Sequence, residues 1–209
     1  TRNQALELAR GTFLQFLDSD VWIVPEATRL LVRSMEEYNC DMVISDFYRV
    51  SGERLAQKGD IEEDKVMSRQ EFASYMIENP ADFYYGVLWN KMYRRSIIEE
   101  YHIRMDTSIS WCEDFLFNLE YIRHAESFFA LQVPIYYYLK RRGSLVSQGA
   151  SITNTVRMKS NIFEYYNEFY KDVYEDKDYA DIRLQVYSFL WAAAKDGGVL
   201  AGSKKLGEE

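Results

Sequence analysis

The chain has 209 residues, 47% hydrophobic, 28% charged and 16% aromatic, with 17 tyrosines and a formal net charge of -8. That length allows one sizeable core or one domain with an appendage, since domains most often hold about 100 to 150 residues, and the apolar fraction argues against disorder. The negative balance argues against a nucleic-acid partner, whose phosphate backbone needs a broad basic surface, while local basic clusters still suit a small phosphate ligand. Cys40 and Cys112 are spaced neither as a metal pair nor as a disulfide framework, the pattern of small core residues in a reducing cytoplasm. No apolar run reaches the roughly 18 to 20 residues of a membrane span, and no signal-peptide core opens the chain, so the expectation is a soluble, cytoplasmic protein.

In chain order, "TRNQALELAR" places Ala5, Leu6, Leu8 and Ala9 on a helical face, with Gly11 as a stop. "TFLQFLDSD" has little polar alternation and predicts a central parallel strand covered on both faces. A parallel strand needs parallel neighbours, and the helix entering it normally follows an earlier strand. The expectation is therefore that an N-terminal portion of the sheet is missing, on the order of two βαβ units at about 30 residues each.

Pro25 suits the start of a helix carrying Leu30, Leu31, Val32 and Met35, and Met42 to Val50 reads as the next strand. The polar "SGERLAQKGDIEEDKV" predicts a loop or hairpin tip. Ser68 and Glu71 have capping-box spacing for a helix running to about Glu78, ended by Asn79-Pro80. "YYGVLWNKMYRRSIIEEY" predicts a short strand or turn and then a helix, and "EDFLFNLEYIRHA" an amphipathic helix through Phe115, Leu119 and Ile122. "FFALQVPIYYYLKRR" predicts a strand pair broken at Pro134. From Ile152 the chain reads as helical and Tyr-rich, with a frayed tail, so the predicted organisation is an α/β domain over 1–150 and a helical extension over 151–209.

Three constellations are suited to chemistry. Asp18-Ser19-Asp20 falls at the carboxyl end of a predicted parallel strand, where open α/β sheets collect ligands, and a D-x-D there fits Mg²⁺ or Mn²⁺ shared with substrate phosphates. The alternative is an acidic turn capping the next helix, and a calcium loop fails for want of a glycine near Ile23. Glu113 and Asp114 open a helix, where the dipole favours acids whatever their role; the functional reading makes one a general base. The dipole lowers such a pKa and burial raises it, and the sequence leaves open which prevails. Lys91, Arg94, Arg95, Lys140, Arg141 and Arg142 form two basic runs able to neutralise a diphosphate, with Ser144 beside Gly143 as a hydroxyl donor; solvated faces explain such runs equally well. His102 and His124 lack partners at zinc spacing, and no G-x-S-x-G elbow supports a serine nucleophile.

The ordered string "RNQALELARGTFLQFLDSD", "LWNKMYRRS", "CEDFLFNLEY", "YYYLKRRGS" resembles family 2 glycosyltransferases, inverting enzymes with a nucleotide-diphospho-sugar-binding GT-A fold, over about Arg2 to Ser147. The resemblance implies a partial GT-A mixed sheet with flanking helices. It implies a metal and donor-diphosphate site at Asp18 and Asp20, a base at Asp114 with Glu113 supporting it, and an Arg2-Asn3 pair near the nucleotide. Lys91, Arg142 and Ser144 would stand on the donor side, and Trp89 and Asn90 on the acceptor side. Val21 departs from the "LDSDDW" common in the family. The implied activity is inverting transfer of a sugar from a nucleotide-diphospho-sugar to a hydroxyl, on a saccharide or lipid-linked acceptor, in polysaccharide or glycoconjugate synthesis. The competing readings are a nucleotidyltransferase of related fold and an inactive structural fragment. The Tyr-rich face of Phe163, Tyr166, Phe169, Tyr170 and Val173 predicts packing on the catalytic core or a second copy, as in a homodimer. Peripheral membrane contact is the alternative, opposed by Glu164, Glu168, Asp172 and Glu175.

Overall fold

The computed structural model describes residues 2–18, 22–80, 82–109, 112–139 and 152–195, with side chains over 160–192 in the last stretch. Its elements are α1 (Arg2–Leu8), β1 (Phe13–Gln15), β2 (Trp22–Ile23), α2 (Ala27–Glu37), β3 (Met42–Ser51), β4 (Arg54–Lys58), β5 (Lys65–Ser68), α3 (Arg69–Glu78), α4 (Phe83–Gly86), β6 (Lys91–Arg94), α5 (Arg95–Glu100), α6 (Glu113–His124), β7 (Ser127–Leu139), α7 (Ile152–Val173) and α8 (Asp176–Lys195). The result is the predicted α/β class: a mixed sheet in the order β1-β6-β3-β7-β2, with β4 on β3 and β5 on β7, flanked by helices.

The central strand is β3, whose Met42, Val43 and Ile44 are fully buried. It runs parallel to β7 and antiparallel to β6 and β4. Two strand expectations are corrected. "TFLQF" is not central and parallel among the described strands: β1 is three residues long, stands at one end of the sheet and pairs antiparallel with β6, Leu14 opposite Tyr93. Its half-buried side chains are the pattern of an edge strand. "FFALQVPIYYYL" is one strand, β7, not a pair broken at Pro134. Its register against β3 steps from Ser45↔Leu131 to Phe47↔Tyr136, so Pro134 falls in the irregular stretch, where a missing N–H costs no ladder bond.

The polar stretch after β3 is a hairpin turning at Gly52, whose φ of 58° is left-handed and suits glycine, and its β4 arm is exposed at all five residues. The α3 capping box forms as spaced: the Ser68 hydroxyl accepts from Glu71 N at 3.2 Å, and the Glu71 carboxylate accepts from Ser68 N at 2.9 Å.

Helix α6 is bolted to β6. Tyr93 donates from its hydroxyl to Asn118 Oδ1 at 2.7 Å, and the Tyr121 hydroxyl accepts from Arg94 N at 2.9 Å while donating to Asp41 O. Phe16, two residues before Asp18, meets the rings of Tyr93 and Phe117 edge-on at 5.6 Å each, so the chain leaving β1 and the first turns of α6 share one aromatic cluster. Helices α7 and α8 pack against this core: Ile162, Tyr166, Phe169, Tyr170, Val186 and Phe189 are buried, Phe189 stacks on Tyr166 at 4.6 Å, and the Tyr170 hydroxyl donates to Ala73 O on α3 at 2.8 Å. No helix among the described residues is long and apolar enough to cross a membrane.

Candidate active site

Three elements meet at one guanidinium. Arg2 opens α1, Asp18 follows β1, and Glu113 and Asp114 form the first turn of α6. Arg2 Nη2 lies 3.3 Å from Asp18 Oδ1, its Nη1 donates to Asp114 Oδ1, and the same Nη1 lies 3.8 Å from Glu113 Oε1. These four sequence-predicted residues are therefore neighbours. Partial exposure, 36% for Arg2 and 25% for Asp114, leaves them within reach of a ligand.

At Asp114 burial prevails over the neighbouring positive charge. Burial, opposed by the Arg2 charge and reinforced by Glu113 and Asp18, raises its carboxyl to about 6. Burial also works against the Arg2 charge, but Asp114, Asp18 and Glu113 outweigh it and hold the guanidinium above its ordinary range. Cys112, just before the acidic pair, has a φ of 63°, a left-handed conformation that costs a side-chain-bearing residue about 1 kcal/mol or more. The turn into α6 thus carries backbone strain where its two acids are presented.

Asn3 does not face the Arg2 cluster. Its amide is used on both sides by Met105, donating to the carbonyl at 2.9 Å and accepting from the N–H at 2.8 Å, which ties α1 to the segment before α6. Lys91 is the main departure from the expected donor set. It is 0% exposed, and its Nζ donates to Tyr84 O at 2.8 Å, to Asn90 Oδ1 at 2.8 Å and to Val87 O. Burial pushes its ammonium toward the neutral form. Three acceptors nevertheless take three N–H groups, and a neutral amine would aim its lone pair at one of those oxygens, so the geometry favours the charged form. Either way Nζ faces protein carbonyls and not a diphosphate.

Asn90 and Trp89, expected in the acceptor cleft, are likewise inside. Asn90 Nδ2 donates to Ser45 O at 3.1 Å and Tyr84 O at 3.0 Å, and Trp89 stacks on Tyr136 with ring centroids 3.8 Å apart. Arg94 and Arg95 brace strand ends, on Cys40 O at 2.7 Å and Gly11 O at 2.6 Å. Asp20, Arg142 and Ser144, with Ser19, Lys140, Arg141 and Gly143, lie outside the described residues.

Sequence reading missed the convergence on Arg2 and the polar pair Tyr93 and Asn118 behind it. The available signal was Asn118 on the apolar face of "EDFLFNLEY", a position where a polar residue needs a buried partner. Among the described residues no group of three or more His, Cys, Asp or Glu is placed to hold a metal ion. Asp18, whose side chain is 41% exposed beside the cluster, has the hard oxygen chemistry that Mg²⁺ or Mn²⁺ takes when phosphates supply further ligands.

Residues 1–102 match the family described as Glycosyl transferase family 2. The uncharacterized glycosyltransferase EpsJ of Bacillus subtilis (strain 168) is 28% identical over 145 residues, covering 69% of this chain and 42% of that protein. The poly(ribitol-phosphate) beta-N-acetylglucosaminyltransferase TarP of Staphylococcus aureus (strain N315) is 26% identical over 179 residues, 85% of this chain and 51% of TarP. The crystal structure of S. aureus TarS 1–349 in complex with UDP-GlcNAc superposes with a TM-score of 0.67 at 22% identity, covering 93% of this chain and 52% of that one. The chain spans about half the length of these relatives. The family match over residues 1–102, the curated glycosyltransferase relatives and the fold shared with TarS agree with the order of motifs around Arg2, Asp18 and Asp114, and residues 1–102 are similar to glycosyltransferase family 2.

Proposed function

We propose that the protein carrying this chain transfers a sugar from a nucleotide-diphospho-sugar to a hydroxyl acceptor, with inversion at the anomeric carbon, in polysaccharide or glycoconjugate assembly. The observation that carries this reading is Asp114: a carboxylate raised to about 6, ionised at neutral pH yet more basic than an ordinary one, held through Arg2 beside Asp18. TarS in complex with UDP-GlcNAc, a structure sharing the fold, makes a uridine-diphospho-sugar the donor to test first.

Asp114 takes the proton of the acceptor hydroxyl as that oxygen forms its bond to the anomeric carbon. The bond from that carbon to the diphosphate oxygen breaks, and the electron pair leaves with the nucleoside diphosphate. Arg2 is the cation placed to meet the departing charge, in the role that Lys91 cannot take from its buried position. Asp18, with Asp20, would hold Mg²⁺ or Mn²⁺, which when bound neutralises diphosphate charge. Glu113, 3.8 Å from Arg2, adds negative charge that keeps the guanidinium at the cluster. The buried thiol of Cys40 suits the reducing cytoplasm, where such donors are available.

The test uses the whole protein, labelled nucleotide sugar and saccharide acceptors. A glycoside of inverted configuration plus nucleoside diphosphate supports the reading, and Asp114→Asn should abolish it with donor binding nearly unchanged. Release of pyrophosphate would instead identify a nucleotidyltransferase.

A further inference from the structure

Asn118 lies one turn along α6 from Asp114 and is 1% exposed. Its Nδ2 faces three carbonyls, Tyr85 O and Gly86 O at 3.0 Å and Val87 O at 3.1 Å, and its Oδ1 accepts from the Tyr93 hydroxyl at 2.7 Å. The three carbonyls belong to the C-terminal end of α4, a helix of one turn, where carbonyls have no following N–H of their own helix. From the other side Lys91 takes Tyr84 O and Val87 O. The α4 turn is thus gripped between β6 and α6, and the grip on α6 passes through a single side chain.

Among the described residues the start of α6 is located by the Arg2 ion pair at Asp114, by Phe115 stacked against Tyr166 and Phe189, by Phe117 between Phe16 and Tyr93, and by the hydrogen bonds of Asn118. We propose that Asn118, supported by Tyr93, is a positioning residue for Asp114: its bonds to α4 and β6 fix the height and rotation of α6 that the ring contacts alone leave free, and so set where the carboxylate stands relative to Arg2 and Asp18. The catalytic side of this inference rests on Asp114 acting as the base.

The test compares wild type, Asn118→Ala and Tyr93→Phe in the whole protein, by steady-state transfer and by amide hydrogen exchange. Misplacing a reacting group by about 1 Å costs up to about a hundredfold in rate, so kcat of Asn118→Ala should fall about ten- to a hundredfold while donor KM stays within about twofold. Tyr93→Phe, which keeps the ring and loses only the donor to Asn118, should show a smaller fall of the same kind. Exchange at Leu116 to Leu119, the first α6 amides bonded within the helix, should rise in both variants, with α8 unchanged. Unchanged kcat in a folded variant, equal losses in kcat and donor affinity, or wild-type exchange at Leu116 to Leu119 would overturn the proposal. If Asn118→Ala fails to fold, Tyr93→Phe carries both measurements. The exchange readout needs no turnover, so it decides the positioning of Asp114 even where transfer fails, an outcome that counts against the transferase reading alone.

Discussion

The guanidinium of Arg2 is hydrogen-bonded to the carboxylate of Asp114, 112 residues away, and the same group reaches Asp18 at 3.3 Å. One cation thus links Asp18 to the helix that carries Asp114. In Arg2→Gln the charge opposing burial at Asp114 is lost, so its carboxyl should titrate above the wild-type value of about 6. A general base works ionised, so in the proposed role of Asp114 transfer should fall as pH drops through about 6, and this acid limb should move to higher pH in the variant. The pH profile of kcat/KM reads the shift, and an unmoved limb would show that Arg2 does not control the base.

Asp114 should also cost stability at neutral pH. Its folded pKa of about 6 lies above the ordinary unfolded value, so the unfolded chain releases this proton first. The stability contributed by this group therefore falls as pH rises from about 4 to about 6 and stays flat above. Asp114→Asn removes the penalty and also one Arg2 contact, so a net gain of about 1–2 kcal/mol is expected at pH 7 and none at pH 4. Urea denaturation at the two pH values checks this.

Lys91→Met separates a buried strut from a ligand contact. The Tyr84 and Val87 carbonyls and Asn90 Oδ1 would all lose the Lys91 donor inside the protein, at a cost of about 3 kcal/mol or more. Chemical denaturation should show that loss. Wild-type stability combined with weakened donor binding would instead return Lys91 to the diphosphate.

Phe169→Ala tests how firmly α7 is held. The ring is fully buried, and truncating such a phenylalanine costs about 3–5 kcal/mol. A melting temperature close to wild type would mean that α7 contributes little to the core.

Much of the fold was legible because its signals are local. Helix α3 announces itself through Ser68 and Glu71, α6 through its apolar spacing, and β3 through an apolar run that the structure buries. The strands misread are those whose state depends on neighbours. An apolar triplet such as Phe13–Gln15 reads alike at the centre or the end of a sheet, and Pro134 breaks a strand only where its partner needs an N–H.

By itself, then, the sequence determined the α/β class, most helices, and the ordered motifs that carry the resemblance to family 2 glycosyltransferases. Those follow from periodicity and residue type, which any stretch carries alone. Tertiary structure decided the rest: that Lys91, Asn90 and Trp89 turn inward, and that burial outweighs the Arg2 charge at Asp114. Inward or outward is a question of which carbonyls and rings arrive from elsewhere in the chain. The α4 turn and β7, whose contacts are made only on folding, supplied them.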